Sequence, residues 1–127
     1  MSMQEYVNDF NNMACDLCEN IATICPNSVV GRNKRDIIKA IKSSNTKIID
    51  IFVLNVLEHK EEIFKGNDSY FLNRKYDEVE SEHMNHIFEF KDYWKKISKQ
   101  DRDVIIDYMK ILCLLAQNYY EEIAKSL

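Results

Sequence analysis

The chain of 127 residues, 46% hydrophobic and 30% charged, is long enough to bury its own core as one domain (1–127) without metal or disulfide staples. Two glycines and one proline exclude the turn-rich β-sandwich and α/β classes and leave helices joined by short polar links. A formal net charge of −4 argues against a protein that coats nucleic acid, for which a basic domain is expected.

Ser2 and Glu5 have capping-box spacing ahead of the apolar series Tyr6, Phe10, Met13, Leu17, Ile21 and Ile24, which predicts a first helix that Pro26 stops. After the link PNSVVG, a short basic helix is expected over 33–42 with Ile37, Ile38 and Ile41 on one side. The SSN at 43–45 should break it and cap a third helix over 46–64. That helix carries Ile48, Ile49, Phe52, Val53, Val56 and Leu57, and Ile51 and Leu54 widen its apolar face enough to suggest a central position. KGND (65–68) reads as a turn with left-handed backbone at Gly66-Asn67, and SYFL (69–72) as one helical turn pinning the loop that follows.

Ser81 should cap a fourth helix bearing Met84, Ile87, Phe88, Trp94 and Ile97. Ser98, followed by Asp101, should cap the last, with Val104, Tyr108, Ile111, Leu115 and Tyr119 as its apolar stripe and Ile105, Leu112 and Ala116 widening it. The sum is an all-α fold, a compact bundle of about five helices. The N-terminus MSMQEYVNDF has no apolar core of a signal peptide. The most apolar run, 105–116, is broken by Asp107 and Lys110 and falls short of the about 20 residues a bilayer span needs. An intracellular protein with reduced thiols and no membrane partner is expected.

CDLCENIATIC (15–25) holds three of the four cysteines. Cys15 and Cys18 have metal-ligand spacing, and His83 with His86 in SEHMNH could complete a tetrahedral zinc site. The about 64 residues between the pairs match no zinc-finger spacing, and reduced cysteine packs as a small buried hydrophobe. Cys18 and Cys25 align with Ala14 and Ile21 on the core side of the first helix, which leaves Cys15 at its flank as the thiol to test for reactivity.

Redox chemistry would want the CxxC at a helix N-terminus, where the helix dipole lowers a thiol pKa; here it falls mid-helix. In size, class and CxxC the chain resembles the flavin-dependent sulfhydryl oxidases, but their His-Asn signature is missing, because SEHMNHIFEF has a different order.

Glu78, Glu80 and Glu82 beside His83 and His86 could form an acid–base pair, although acidic residues entering a helix are expected from its dipole alone. His59 has the matching explanation at a helix C-terminus. No Gly-rich phosphate loop exists. GRNKR (31–35), NRK (73–75) and KDYWKK (91–96) are basic clusters of the kind solvated helix faces produce. Tyr93, Tyr119 and Tyr120 would suit an exposed interaction surface.

FKDYWKKISKQDRDVIIDYMKILCLLA (90–116) and IIDIFVLNVLEHKEEIFKGNDSYFL (48–72) resemble small uncharacterised helical proteins of nucleocytoplasmic large DNA viruses. The resemblance covers about residues 46–120 and departs at Ile106, where that group has a second tryptophan. It implies a viral protein of host cytoplasm or virion and carries over no site residue. Viral Bcl-2-like bundles are similar by size and class alone.

The expectation is a non-enzymatic viral accessory or virion-associated module that binds another protein. It would have no catalytic, cofactor or metal site, and it could self-associate; nucleic acid is an unlikely partner on net charge. The alternatives are a metal- or thiol-dependent protein using Cys15, Cys18, His83 and His86, or a nucleic-acid-binding helical protein.

Overall fold

The computed structural model describes residues 2–66 and 91–127, which are helical with no strand among them. The elements are α1 (Met3–Ile24), α2 (Val29–Arg32), α3 (Lys34–Ser43), α4 (Lys47–Asn55), a 3-10 turn (Leu57–His59), α5 (Lys60–Phe64), the helical stretch 91–96 (α6) and α7 (Lys99–Lys125). The expected SYFL turn and the Ser81 cap with Met84, Ile87 and Phe88 lie outside the described residues, as do His83 and His86.

α1 starts on the capping box that its sequence announces. The Glu5 N–H donates to Ser2 Oγ at 3.2 Å, while the Ser2 N–H reaches back to Glu5 Oε1 at 3.4 Å. It ends one residue before Cys25, whose N–H closes the last turn on the Ile21 carbonyl. Ser98 caps α7 by accepting from the Asp101 N–H at 3.1 Å. α1 and α7 run antiparallel, as two core clusters show. Val7 and Phe10 near the start of α1 pack with Leu112, Ala116 and Tyr119 late in α7, and with Ile49 of α4. Leu17, Ile21 and Ile24 instead meet Trp94, Ile105 and Ile106 at the other end. Phe10 and Phe52 add an edge-to-face ring contact at 5.2 Å. α3 lies against α1, and α4 and α5 lie against α7.

The link PNSVVG is more ordered than expected, since part of it forms α2. The Ser28 hydroxyl donates to the Cys25 carbonyl at 2.7 Å and accepts from the Gly31 N–H at 3.1 Å, so one buried side chain closes the turn from both ends. The α3–α4 turn is tied to α1. Asn45 takes left-handed backbone (φ 48°), its carbonyl accepts from Asn11 Nδ2 at 2.9 Å, and its Oδ1 accepts from Gln4 Nε2 at 3.3 Å. Ser43 and Ser44 bond back to α3 carbonyls rather than capping α4, whose N-cap Thr46 makes no side-chain cap bond.

Three expectations are corrected. The helix over 46–64 is three pieces: Asn55 Nδ2 bonds back to the Ile51 carbonyl at 2.9 Å, and the chain passes through a 3-10 turn before resuming as α5. Its wide apolar face is not central either. Ile49 is fully buried, but Ile51 and Leu54 are 48% and 77% exposed, because only one side of α4 meets α1 and α7. The core stripe of α7 is also rotated from its expected position. Ile105, Ile106, Leu112, Cys113, Ala116 and Tyr119 are buried, whereas Val104 and Tyr108 are half-buried and Ile111 is 40% exposed. Ile106 sits in the cluster built around Trp94.

Candidate functional site

The displaced stripe of α7 forms one wall of a groove. Val104, Tyr108 and Ile111 follow the three–four spacing of a single helix face, with Asp107 beside them. Across the seam, α1 presents Met13 and Asp16. The depression between them holds about 310 Å³ and is open to solvent. It adjoins another of about 320 Å³, where Tyr108 faces Asp16, Glu19, Asn20 and Thr23. Leu114, 51% exposed, continues the apolar line along α7. The floor is thus apolar and the rim carries the carboxylates of Asp16, Glu19 and Asp107, with Lys110 at 4.0 Å from Asp107. No lysine or arginine occurs before position 32, so α1 has only acidic charges along this rim.

A second depression, of about 620 Å³, lies on the far side of Glu19. Lys34, Arg35, Lys39 and Lys42 of α3 surround it, with Ile38 at its base. Lys34 pairs with Glu19 at 3.1 Å, so Glu19 stands on the ridge between the acidic groove and the basic surface.

Cys18 and Cys25 lie in the core, as their spacing predicts, and Cys15 departs from its expected place at the flank of the stripe. All four thiols are free and buried, Cys15 at 8%, Cys18 at 5%, Cys25 at 6% and Cys113 at 0% exposure. Burial pushes the Cys15 thiol above its ordinary range, with Lys42 of α3 partly offsetting it. Burial likewise raises Cys18, helped by the neighbouring Cys15. Cys15 is therefore covered with Cys18 rather than left at the flank of the stripe, and neither is a poised thiolate. Among the described residues no group of three or more His, Cys, Asp or Glu could hold a metal ion. His59 is half-buried with Nε2 at 3.0 Å from Glu58 Oε1. Glu78, Glu80 and Glu82 lie outside the described residues.

The three tyrosines expected at one surface separate. Tyr119 is 6% exposed and donates its hydroxyl to Asp50 Oδ1 at 2.7 Å, so it is a core residue with a polar tether. Tyr120, the next residue, turns about 100° around the helix and is 52% exposed. Tyr93 is half-buried beside Trp94, which packs at Ile105 and Ile106, about 21 Å along the α7 axis from Tyr120. Sequence spacing puts the apolar residues of this groove in the core. The groove's signal was the excess of apolar positions on α7, more than one packing partner covers.

Among the described residues no helix is long and apolar enough to cross a membrane. No family model matches the chain, and no solved structure matches it. It is similar to a curated protein of Acanthamoeba polyphaga mimivirus, "Uncharacterized protein R465", at 27% identity over 150 residues that cover 99% of this chain and 77% of that protein. This similarity suggests a relation to giant-virus proteins.

Proposed function

We propose that this chain is a non-enzymatic viral accessory or virion-associated protein that binds another protein, and that the α1–α7 groove receives an amphipathic helix with basic residues flanking its apolar stripe. The observation that carries this reading is the pairing of an apolar floor (Met13, Val104, Tyr108, Ile111) with carboxylates at its rim. A helix laid in such a groove buries its apolar anchors, while lysines or arginines beside them meet Asp16, Glu19 and Asp107. The similarity to a giant-virus protein supports the viral setting, in host cytoplasm or particle.

The test uses a fluorescent 18-residue peptide with a leucine stripe flanked by lysines, titrated with the whole chain and followed by anisotropy. Binding in the micromolar range is expected, weakened at least tenfold by Ile111→Glu and by Asp107→Lys. Ile111 is part-exposed and Asp107 exposed, so both variants should melt close to the parent. Equal binding by parent and both variants would remove the groove as the site.

A further inference from the structure

The net charge of −4 hides a strong segregation. Residues 32–47 carry six cations (Arg32, Lys34, Arg35, Lys39, Lys42, Lys47) against one carboxylate, Asp36, a net +5 that leaves −9 on the remaining residues. The structure gathers most of this charge onto one surface. Arg35, Lys39 and Lys42 stand at i, i+4 and i+7 on α3 and share one depression with Lys34. Arg35, Lys39, Lys42 and Lys47 are exposed, and among the described residues none of them makes an ion pair. Four cations crowded on one short stretch repel one another, at a cost in stability that a bound anion would relieve.

We propose that the α2–α3 face is a docking surface for the phosphodiester backbone of a nucleic-acid duplex, independent of the α1–α7 groove. The chemistry of the surface selects this polyanion over others. Residues 31–47 include no aromatic side chain, so there is no platform for stacking unpaired bases. Ile41 is buried and Ile37 and Ile38 are half-buried where α3 lies against α1. α3 therefore lacks the free apolar face with which a helix enters a membrane interface.

An acidic protein partner would need a large apolar or aromatic anchor at the centre of the contact, and the depression offers only Ile38. A duplex backbone asks for none of these. From Arg35 to Lys42 the cations span about 10 Å of helix axis, comparable to the axial rise across four successive phosphates of one strand at about 3.4 Å per step. The acidic rim beyond Glu19 repels the same backbone, which orients the molecule with α3 inward and the groove outward.

A fluorescent 20-base-pair duplex of arbitrary sequence, titrated with the whole chain, tests this. Affinity in the micromolar range is expected at 50 mM salt, falling about a hundredfold by 200 mM as three to four phosphate contacts release their counterions. Arg35→Glu, Lys39→Glu and Lys42→Glu together should weaken binding by more than tenfold and flatten the salt dependence, whereas Lys95→Glu with Lys96→Glu should leave both unchanged. Glu19→Gln frees Lys34 from its partner and should tighten binding severalfold, a gain that damage to the fold could not produce. No binding at 50 mM salt, equal loss from the Lys95/Lys96 pair, or no loss from the triple variant would overturn the proposal. So would tighter binding to phosphatidylserine vesicles or to polyglutamate than to the duplex.

Discussion

Tyr119 sets its ring in the cluster of Val7, Phe10, Ile49, Leu112 and Ala116 and carries its hydroxyl out to Asp50. Burial, then the hydrogen bond to Asp50 and the charge of that carboxylate, push the phenol from 10.0 up to about 12. The folded state thus holds a proton that the unfolded chain releases near pH 10, so this contribution is complete below pH 10 and is lost as pH rises towards 12. Cys113, raised by burial from 9.0 to about 11, adds a decline that starts a unit earlier. Tyr119→Phe should cost about 1 kcal/mol at neutral pH and flatten the loss between pH 10 and 12, read as urea midpoints across a pH series. Spacing placed Tyr119 on the apolar stripe, while residue type made it look like its neighbour Tyr120. The position of Asp50 on α4, 69 residues away in sequence, decides between them.

The turn from α1 to α2 depends on Gly31. A Cβ there would lie 2.4 Å from the Pro26 carbonyl oxygen and 2.6 Å from that of Cys25, both backbone atoms with no rotamer to yield. Gly31→Ala should therefore destabilise by about 1–3 kcal/mol, seen as a lower urea midpoint, even though alanine is the better helix former. That Pro26 ends α1 was legible from the sequence; the close approach that requires glycine was not, since it arises between backbones folded back on one another. α7 teaches the same at greater length. Its apolar residues occupy Val104 to Met109 and Ile111 to Ala116 with few gaps, so periodicity alone allowed more than one stripe. The packing of α1, α4 and α5 chose the one through Ile105, Leu112, Ala116 and Tyr119 and left Val104, Tyr108 and Ile111 to the groove.

At the scale of the whole molecule, the four thiols sample different packings. Cys15 and Cys18 lie near Lys42 and Lys34 of α3, Cys25 near Asp101 at the start of α7, and Cys113 near Lys60 of α5. Ellman's reagent at pH 8 should find none of them accessible within minutes in the folded protein and all four in guanidinium. Rapid reaction of Cys15 and Cys18 without Cys113 would show instead that α3 lifts from α1 while the α1–α7 pair stays closed. Charge divides along the same boundary, with an α1 bearing Glu5, Asp9, Asp16 and Glu19 and no cation beside a strongly basic α3. An expectation drawn from net charge averages over the two and carries no record of the basic surface on α3.

Helix type and several helix ends were readable residue by residue, because they rest on interactions three or four positions apart. The Ser2–Glu5 box, the stop before Pro26, the Ser98 cap and the scarcity of glycine and proline all belong to this class. The mimivirus similarity accords with the resemblance read from residues 46–120. Side-of-helix questions were settled only by tertiary packing. Covering Cys15, burying Tyr119 but not Tyr120, breaking the 46–64 helix, and turning Val104, Tyr108 and Ile111 into a groove each depend on which neighbour arrives. A helix apolar over most of its circumference carries no local record of that choice.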